Sequence, residues 1–157
     1  MTDYYTKDIV GYKVAPTFEE KYAIEALNMA LAHGSAYDLR KLIRHSDRGM
    51  QYASYTYSDI LKSNGISISM TESGNPKDNA VAERVNNTIK NELLSGMQFS
   101  RIDEVRAAVD TAVEFYNNER PHLSLDGMTP REAALCNGEI NKKWISYREK
   151  AIKNRMV

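Results

Sequence analysis

Leu42-Ile43-Arg44-His45-Ser46-Asp47-Arg48-Gly49 is the stretch on which the reading of this chain turns. Leu42 to Ser46 reads as a short strand, and Asp47 stands at its end, next to turn-forming Gly49. A second acid, Glu83, closes Asp78-Asn79-Ala80-Val81-Ala82-Glu83, with thirty-five residues between the two. Lys90 follows seven residues later.

Outward from Asp47, the chain alternates strands and helices. Upstream, Ile9 to Val14 reads as a strand between Thr6-Lys7-Asp8 and Pro16. Thr17-Phe18-Glu19-Glu20 has the form of a capping box. It opens a helix with Ala23, Ile24, Leu27 and Leu31 at helical spacing, stopped by Gly34. Downstream, a helix over about Ser54 to Asn64 ends at Gly65, and Ile66 to Met70 alternates as a strand. Thr71 to Asp78 is polar, holds Gly74 and Pro76, and reads as a loop. The spacing then predicts a helix from about Asn79 to Leu94. Ala82, Val85, Ile89 and Leu93 form its apolar face, and Glu83, Asn86, Asn87 and Lys90 another; seven residues are nearly two turns, so Glu83 and Lys90 point the same way. A long helix spans about Ile102 to Asn118 with Ser100 as its N-cap. Thr129-Pro130-Arg131-Glu132 is a further capping box, with Pro at the first helical position. This order is an α/β arrangement.

The chain has 157 residues, enough for one domain with a tail, and 42% hydrophobic content supplies a core. A single cysteine, Cys136, excludes a disulfide framework and a multi-cysteine zinc site, and reads as a small buried residue. No stretch approaches a membrane span or a signal peptide, so the chain reads as soluble and intracellular. Formal charge is zero, from 21 basic and 21 acidic residues. Its distribution is uneven: residues 39–97 hold eight basic and six acidic side chains, and residues 139–157 six and two. A polyanion fits those two segments despite the neutral total.

One acid at a strand end and one on a helix flank suit Mg²⁺, which takes oxygen ligands, and phosphodiester chemistry uses two such ions about 3.5–4 Å apart. Lys90 would hold a phosphate as a point charge. Spacing alone does not select this pair among 21 acids. Asp47 also fits a turn residue, and Glu83 a surface pair with Arg84 or Lys90.

The flanking residues add more. His45-Ser46-Asp47-Arg48-Gly49-Met50-Gln51-Tyr52 resembles the second-aspartate motif of bacterial insertion-sequence transposases with a D,D-35-E core. Asp78 to Glu83, with Lys90, resembles their glutamate motif. Tyr116-Asn117-Asn118-Glu119-Arg120-Pro121-His122-Leu123-Ser124-Leu125 and Met128-Thr129-Pro130 resemble their C-terminal signature, and Asp3 to Tyr12 their early hairpin. The resemblance covers roughly residues 2–135. It implies a ribonuclease H-like mixed sheet with flanking helices, shared with retroviral integrases, and a catalytic core over 1–138 followed by a basic tail or helix over 139–157 carrying Trp144. It implies Mg²⁺- or Mn²⁺-dependent cleavage and joining of transposon ends, with two ions in the complete site. Asp47 and Glu83 carry over as metal-binding catalytic acids, and Lys90 as a contact to transposon-end DNA. It also implies DNA and further copies of the chain as partners, no small-molecule cofactor, and a bacterial cytoplasmic, nucleoid-associated setting.

The family's first catalytic Asp lies on a first strand that this chain does not match. Asp3 matches the hairpin aspartate instead. The chain is therefore expected to begin one strand inside the domain and, alone, to have little strand-transfer activity. The alternative reading is an inactive fragment that binds DNA or the full-length transposase.

Overall fold

The computed structural model describes residues 1–34, 38–71, 80–136 and 138–140. The expected loop beyond Thr71 and residues 141–157 of the basic tail, Trp144 among them, fall outside these.

Residues 1–11 double back around a turn at Tyr4–Lys7. The Asp3 N–H donates to the Asp8 carbonyl at 2.8 Å and the Val10 N–H to the Met1 carbonyl at 3.1 Å, flanking an antiparallel bridge between Thr2 and Ile9. The strand expected over Ile9–Val14 is reduced to this bridge. The segment faces helices on both sides, so side chains satisfy its backbone: Asn117 at Ile9, and Arg106 at the Val14 carbonyl. Gly11 permits the close approach, because a Cβ there would meet the Ala26 carbonyl oxygen at 2.2 Å.

Helix α1 (Glu20–His33) ends at Gly34 as expected, but its start differs. Glu19 is the N-cap, and the Thr17 hydroxyl is turned to the Glu19 carboxylate at 2.7 Å instead of capping the helix.

Strands β1 (Ile43–Ser46) and β2 (Ser67–Met70) pair in parallel, His45 opposite Ser69 and Ser46 opposite Met70. Between them run the short α2 (Met50–Ala53) and α3 (Tyr55–Ser63). The Ser54 hydroxyl caps α3, and Gly65, at φ 71°, turns the chain back toward β2. Leu27, Tyr57, Leu61 and Ile66 form one buried cluster, joining α1, α3 and the approach to β2.

Helix α4 (Ala80–Asn87) passes directly into a π-helical segment, Thr88–Leu93. The continuous α-helix expected here is thus rewound, and the Leu94 N–H reaches back five residues to the Ile89 carbonyl at 3.0 Å. The apolar face is as expected: Val85 is buried, and Ala82, Ile89 and Leu93 are half-buried. Helix α5 (Ile102–Asn118) packs against the π segment and against α6 (Pro130–Leu135). Its cap is Arg101, not Ser100; the Glu104 carboxylate accepts the N–H groups of both. The Thr129 capping box with Pro130 is as the sequence indicates. A second buried cluster unites Ile9, Val85, Val113 and Tyr116. Cys136 corrects expectation: it is exposed, its thiol against the Met128 sulfur at 3.4 Å, because it caps α6 at the surface. Among the described residues, no helix is long and apolar enough to cross a membrane.

Candidate active site

Asp47 leaves β1 with its backbone tied to β2. The Thr71 N–H donates to the Ser46 carbonyl at 3.0 Å, and Arg48 Nε donates to the Thr71 carbonyl at 2.8 Å. The Gly49 N–H donates to Asp47 Oδ1 at 3.1 Å, a local turn that fixes the carboxylate at the strand end. The carboxylate is exposed. The side chains of the preceding strand are engaged elsewhere. Arg44 bonds the Tyr57 hydroxyl and lies 5.3 Å above the Tyr52 ring, while His45 Nδ1 lies 3.0 Å from the hydroxyl of its cross-strand partner Ser69. Tyr57 is therefore a core residue, whereas Tyr4 and Tyr55 are largely exposed.

Glu83 lies in the first turn of α4 and is exposed. Asn86, Asn87 and Lys90 share its exposure, as the helical spacing predicts. Lys90 sits inside the π segment, and its ammonium makes no hydrogen bond or ion pair among the described residues. The two acids are seated on different cores: Asp47 follows the strand whose Arg44 bonds Tyr57 of the Leu27–Tyr57–Leu61 cluster, and Glu83 lies two residues from Val85 in the Ile9–Val113–Tyr116 cluster.

Among the described residues, no three acids, histidines or cysteines come together as a metal-binding group. Asp3 has another task. Its Oδ1 accepts from the Tyr5 N–H at 3.0 Å, the Thr6 N–H at 2.6 Å and the Thr6 hydroxyl at 2.7 Å, which closes the hairpin turn.

Three features went unforeseen: Asn117 and Arg120 in the C-terminal signature, and Asp8 against Arg131 just beyond it; the packing of His122 is a further contact of the signature loop. Asn117 is buried and serves as a strand mimic: its Oδ1 accepts the Ile9 N–H at 2.9 Å and its Nδ2 donates to the Ile9 carbonyl at 3.0 Å. Asp8, 1% exposed, has Oδ2 3.2 Å from His33 Nε2 and 3.3 Å from Arg131 Nη1, contacts that lack hydrogen-bond alignment. Burial raises the Asp8 pKa, against the pull of Arg131 and His33. Arg120 donates to Glu92 in the π segment at 2.8 Å and lies 5.9 Å from the Tyr116 ring. His122 meets Tyr116 edge to face, centroids 4.9 Å apart, and burial lowers its pKa to about 4, so it packs as a neutral ring. A polar residue such as Asn117 on the apolar stripe of Val109, Val113 and Tyr116 was the available signal, since a buried amide needs partners.

The integrase core domain family is matched twice, over residues 1–76 and 64–130. The uncharacterised insertion element IS600 protein of Shigella sonnei is 39% identical over 129 residues, 82% of this chain and 47% of that protein. The transposase of insertion sequence IS904 of Lactococcus lactis is 31% identical over 83% of this chain and 51% of its own length. The chain thus spans about half the length of these relatives. In three dimensions it is similar to the HTLV-2 integrase catalytic core, a trimeric form in complex with magnesium, with a TM-score of 0.62 at 20% identity over 84% of this chain and 80% of that one. The catalytic core of BIV integrase gives a TM-score of 0.51 at 26% identity, covering 74% and 72%. The fold is therefore that of the ribonuclease H-like integrase cores, as the motifs imply.

Proposed function

The chain belongs to the integrase core domain family, with insertion-sequence transposases as its relatives, and from that premise we propose that it is the DNA-cleaving and strand-transferring core of such an enzyme, a polynucleotidyl transferase. The observation that carries this reading is the pair Asp47 and Glu83, two exposed carboxylates at a strand end and on a first helical turn, in the family's motifs.

The donor set suits Mg²⁺ or Mn²⁺, being all oxygen, anionic and drawn from two elements. Asp47 and Glu83 would hold the ion, two ions in the complete site. Bound there, it supplies Lewis acidity and a stronger oxygen nucleophile for in-line attack on a phosphodiester. The residues of the chain orient the rest. Arg48 holds the Asp47 loop against the end of β2, and Lys90 offers its ammonium to a phosphate of the transposon end. DNA ends and target are the substrates, further copies of the chain the partners, and the bacterial cytoplasm, at the nucleoid, the setting.

A second reading is a chain that binds DNA or a full-length transposase without catalysis. The hydrogen bonding of Asp3 favours it, because a carboxylate holding three donors of its own turn is a poor candidate for a third metal ligand. The deciding experiment is Mg²⁺- or Mn²⁺-dependent strand transfer of transposon-end duplexes by a protein of the relatives' full length. Loss of activity in both Asp47→Asn and Glu83→Gln supports the catalytic reading; activity that survives both removes it. The same assay on this chain alone is expected to give little product.

A further inference from the structure

Lys90 projects from a segment whose winding is not that of an ordinary helix. In a π-helix each hydrogen bond spans five residues instead of four, so each residue advances the chain by a smaller angle. Lys90, third in the segment, therefore trails the direction that uniform α winding from Glu83 would give it. What holds this winding decides where its ammonium points.

The holding contacts converge on Glu92, two residues beyond Lys90. Its Oε2 accepts from Arg120 Nη2 at 2.8 Å, and its Oε1 accepts from the Thr88 hydroxyl at 3.3 Å. Thr88, 2% exposed, opens the segment, so Glu92 ties its first turn to the signature loop after α5. Arg120 is fixed in turn: only 26% of its side chain is exposed, and it lies beside the Tyr116 ring. The same pairing lowers the Glu92 pKa, chiefly through the Arg120 hydrogen bond, so the carboxylate stays ionised.

We infer that Glu92 and Arg120 are positioning residues for Lys90, a salt bridge that keeps the π winding and so aims the lysine at DNA. This rests on Lys90 being the DNA contact. It assigns Arg120 of the Arg120-Pro121-His122 motif a role that acts through Glu92.

The inference makes a prediction opposite in sign to simple electrostatics. Removing an anion beside a DNA-facing lysine should strengthen binding if charge alone matters. On this account Glu92→Gln weakens it instead. The test is fluorescence anisotropy of the full chain with a labelled blunt-ended DNA duplex at low salt. Lys90→Ala is expected to weaken binding. Glu92→Gln is expected to weaken it by up to about tenfold, the range of coupling between contacting residues, and to add nothing in the Lys90→Ala background. The charge-exchanged pair Glu92→Arg with Arg120→Glu, which preserves net charge, is expected to recover most of the loss. Tighter or unchanged binding by Glu92→Gln, with Lys90→Ala still weakening it, overturns the inference and leaves the reading of Lys90 intact. So does an exchanged pair no better than Arg120→Glu alone, which would make Arg120 a direct DNA contact. No effect of Lys90→Ala overturns both.

Discussion

The two halves of the candidate site are held by different means. Asp47 stands on a ladder: β1 pairs residue by residue with β2, the Ser46 carbonyl accepts the Thr71 N–H, and Arg48 clamps the Thr71 carbonyl. Glu83 stands on a helix with no such ladder, and its position comes from packing of Val85 on Val113 and Tyr116, with Ile9 completing the cluster. Side chains of the C-terminal signature secure that second half, through Asn117 on Ile9 and Arg120 on Glu92. The ladder joins residues 24 positions apart, whereas the support of Glu83 comes from residues thirty or more positions further along the chain and from Ile9 far upstream.

Truncating each core should therefore injure one half first. Leu61→Ala removes a side chain that is 1% exposed and is expected to destabilise the fold by about 2–5 kcal/mol. In native-state hydrogen exchange the β1 and β2 amides should lose protection first. Asn117→Leu leaves the buried Ile9 N–H and carbonyl without partners and is expected to cost about 1–3 kcal/mol. There the Ile9 amide should exchange first and the β1–β2 amides last. If either change loosens both halves equally at the lowest denaturant, the halves form one cooperative unit and the contrast fails.

The half with the ladder was legible in sequence, and the other half only partly. Strand β1, strand β2 (though its burial does not alternate as the sequence does), the Gly65 stop and the Thr129 cap rest on local chemistry, which sequence records. The apolar and exposed faces around Glu83 also followed from periodicity. What escaped was tertiary. Ile9–Val14 has the composition of a strand, yet its partners are Asn117 and Arg106 side chains, and no local pattern announces that. The π winding at Thr88–Leu93 has no Gly or Pro to mark it and is joined to Arg120, 28 residues beyond Glu92. Both acids were found through their motifs, because spacing alone does not choose between 21 carboxylates.

The pH dependence of stability sharpens the contrast further. His122 belongs to the Glu83 half, and burial depresses its pKa from 6.5 to about 4. The unfolded chain takes up a proton near pH 6.5 that the folded ring refuses until about pH 4, so stability should fall as pH drops through that window. Denaturant midpoints measured across it should decline, and His122→Phe should flatten the decline. An unchanged profile in the variant would assign the acid sensitivity elsewhere. The smallest effect is expected at Tyr55, 90% exposed beside α2: Tyr55→Ala should shift stability by less than about 0.5 kcal/mol.

The account stands or falls on whether acids seated on two separate cores serve one ion. Isothermal titration of the chain with Mn²⁺ tests this directly. The account predicts a binding event lost in Asp47→Asn and equally lost in Glu83→Gln, with both variants still folded. Binding that survives either substitution at unchanged affinity would contradict a shared site.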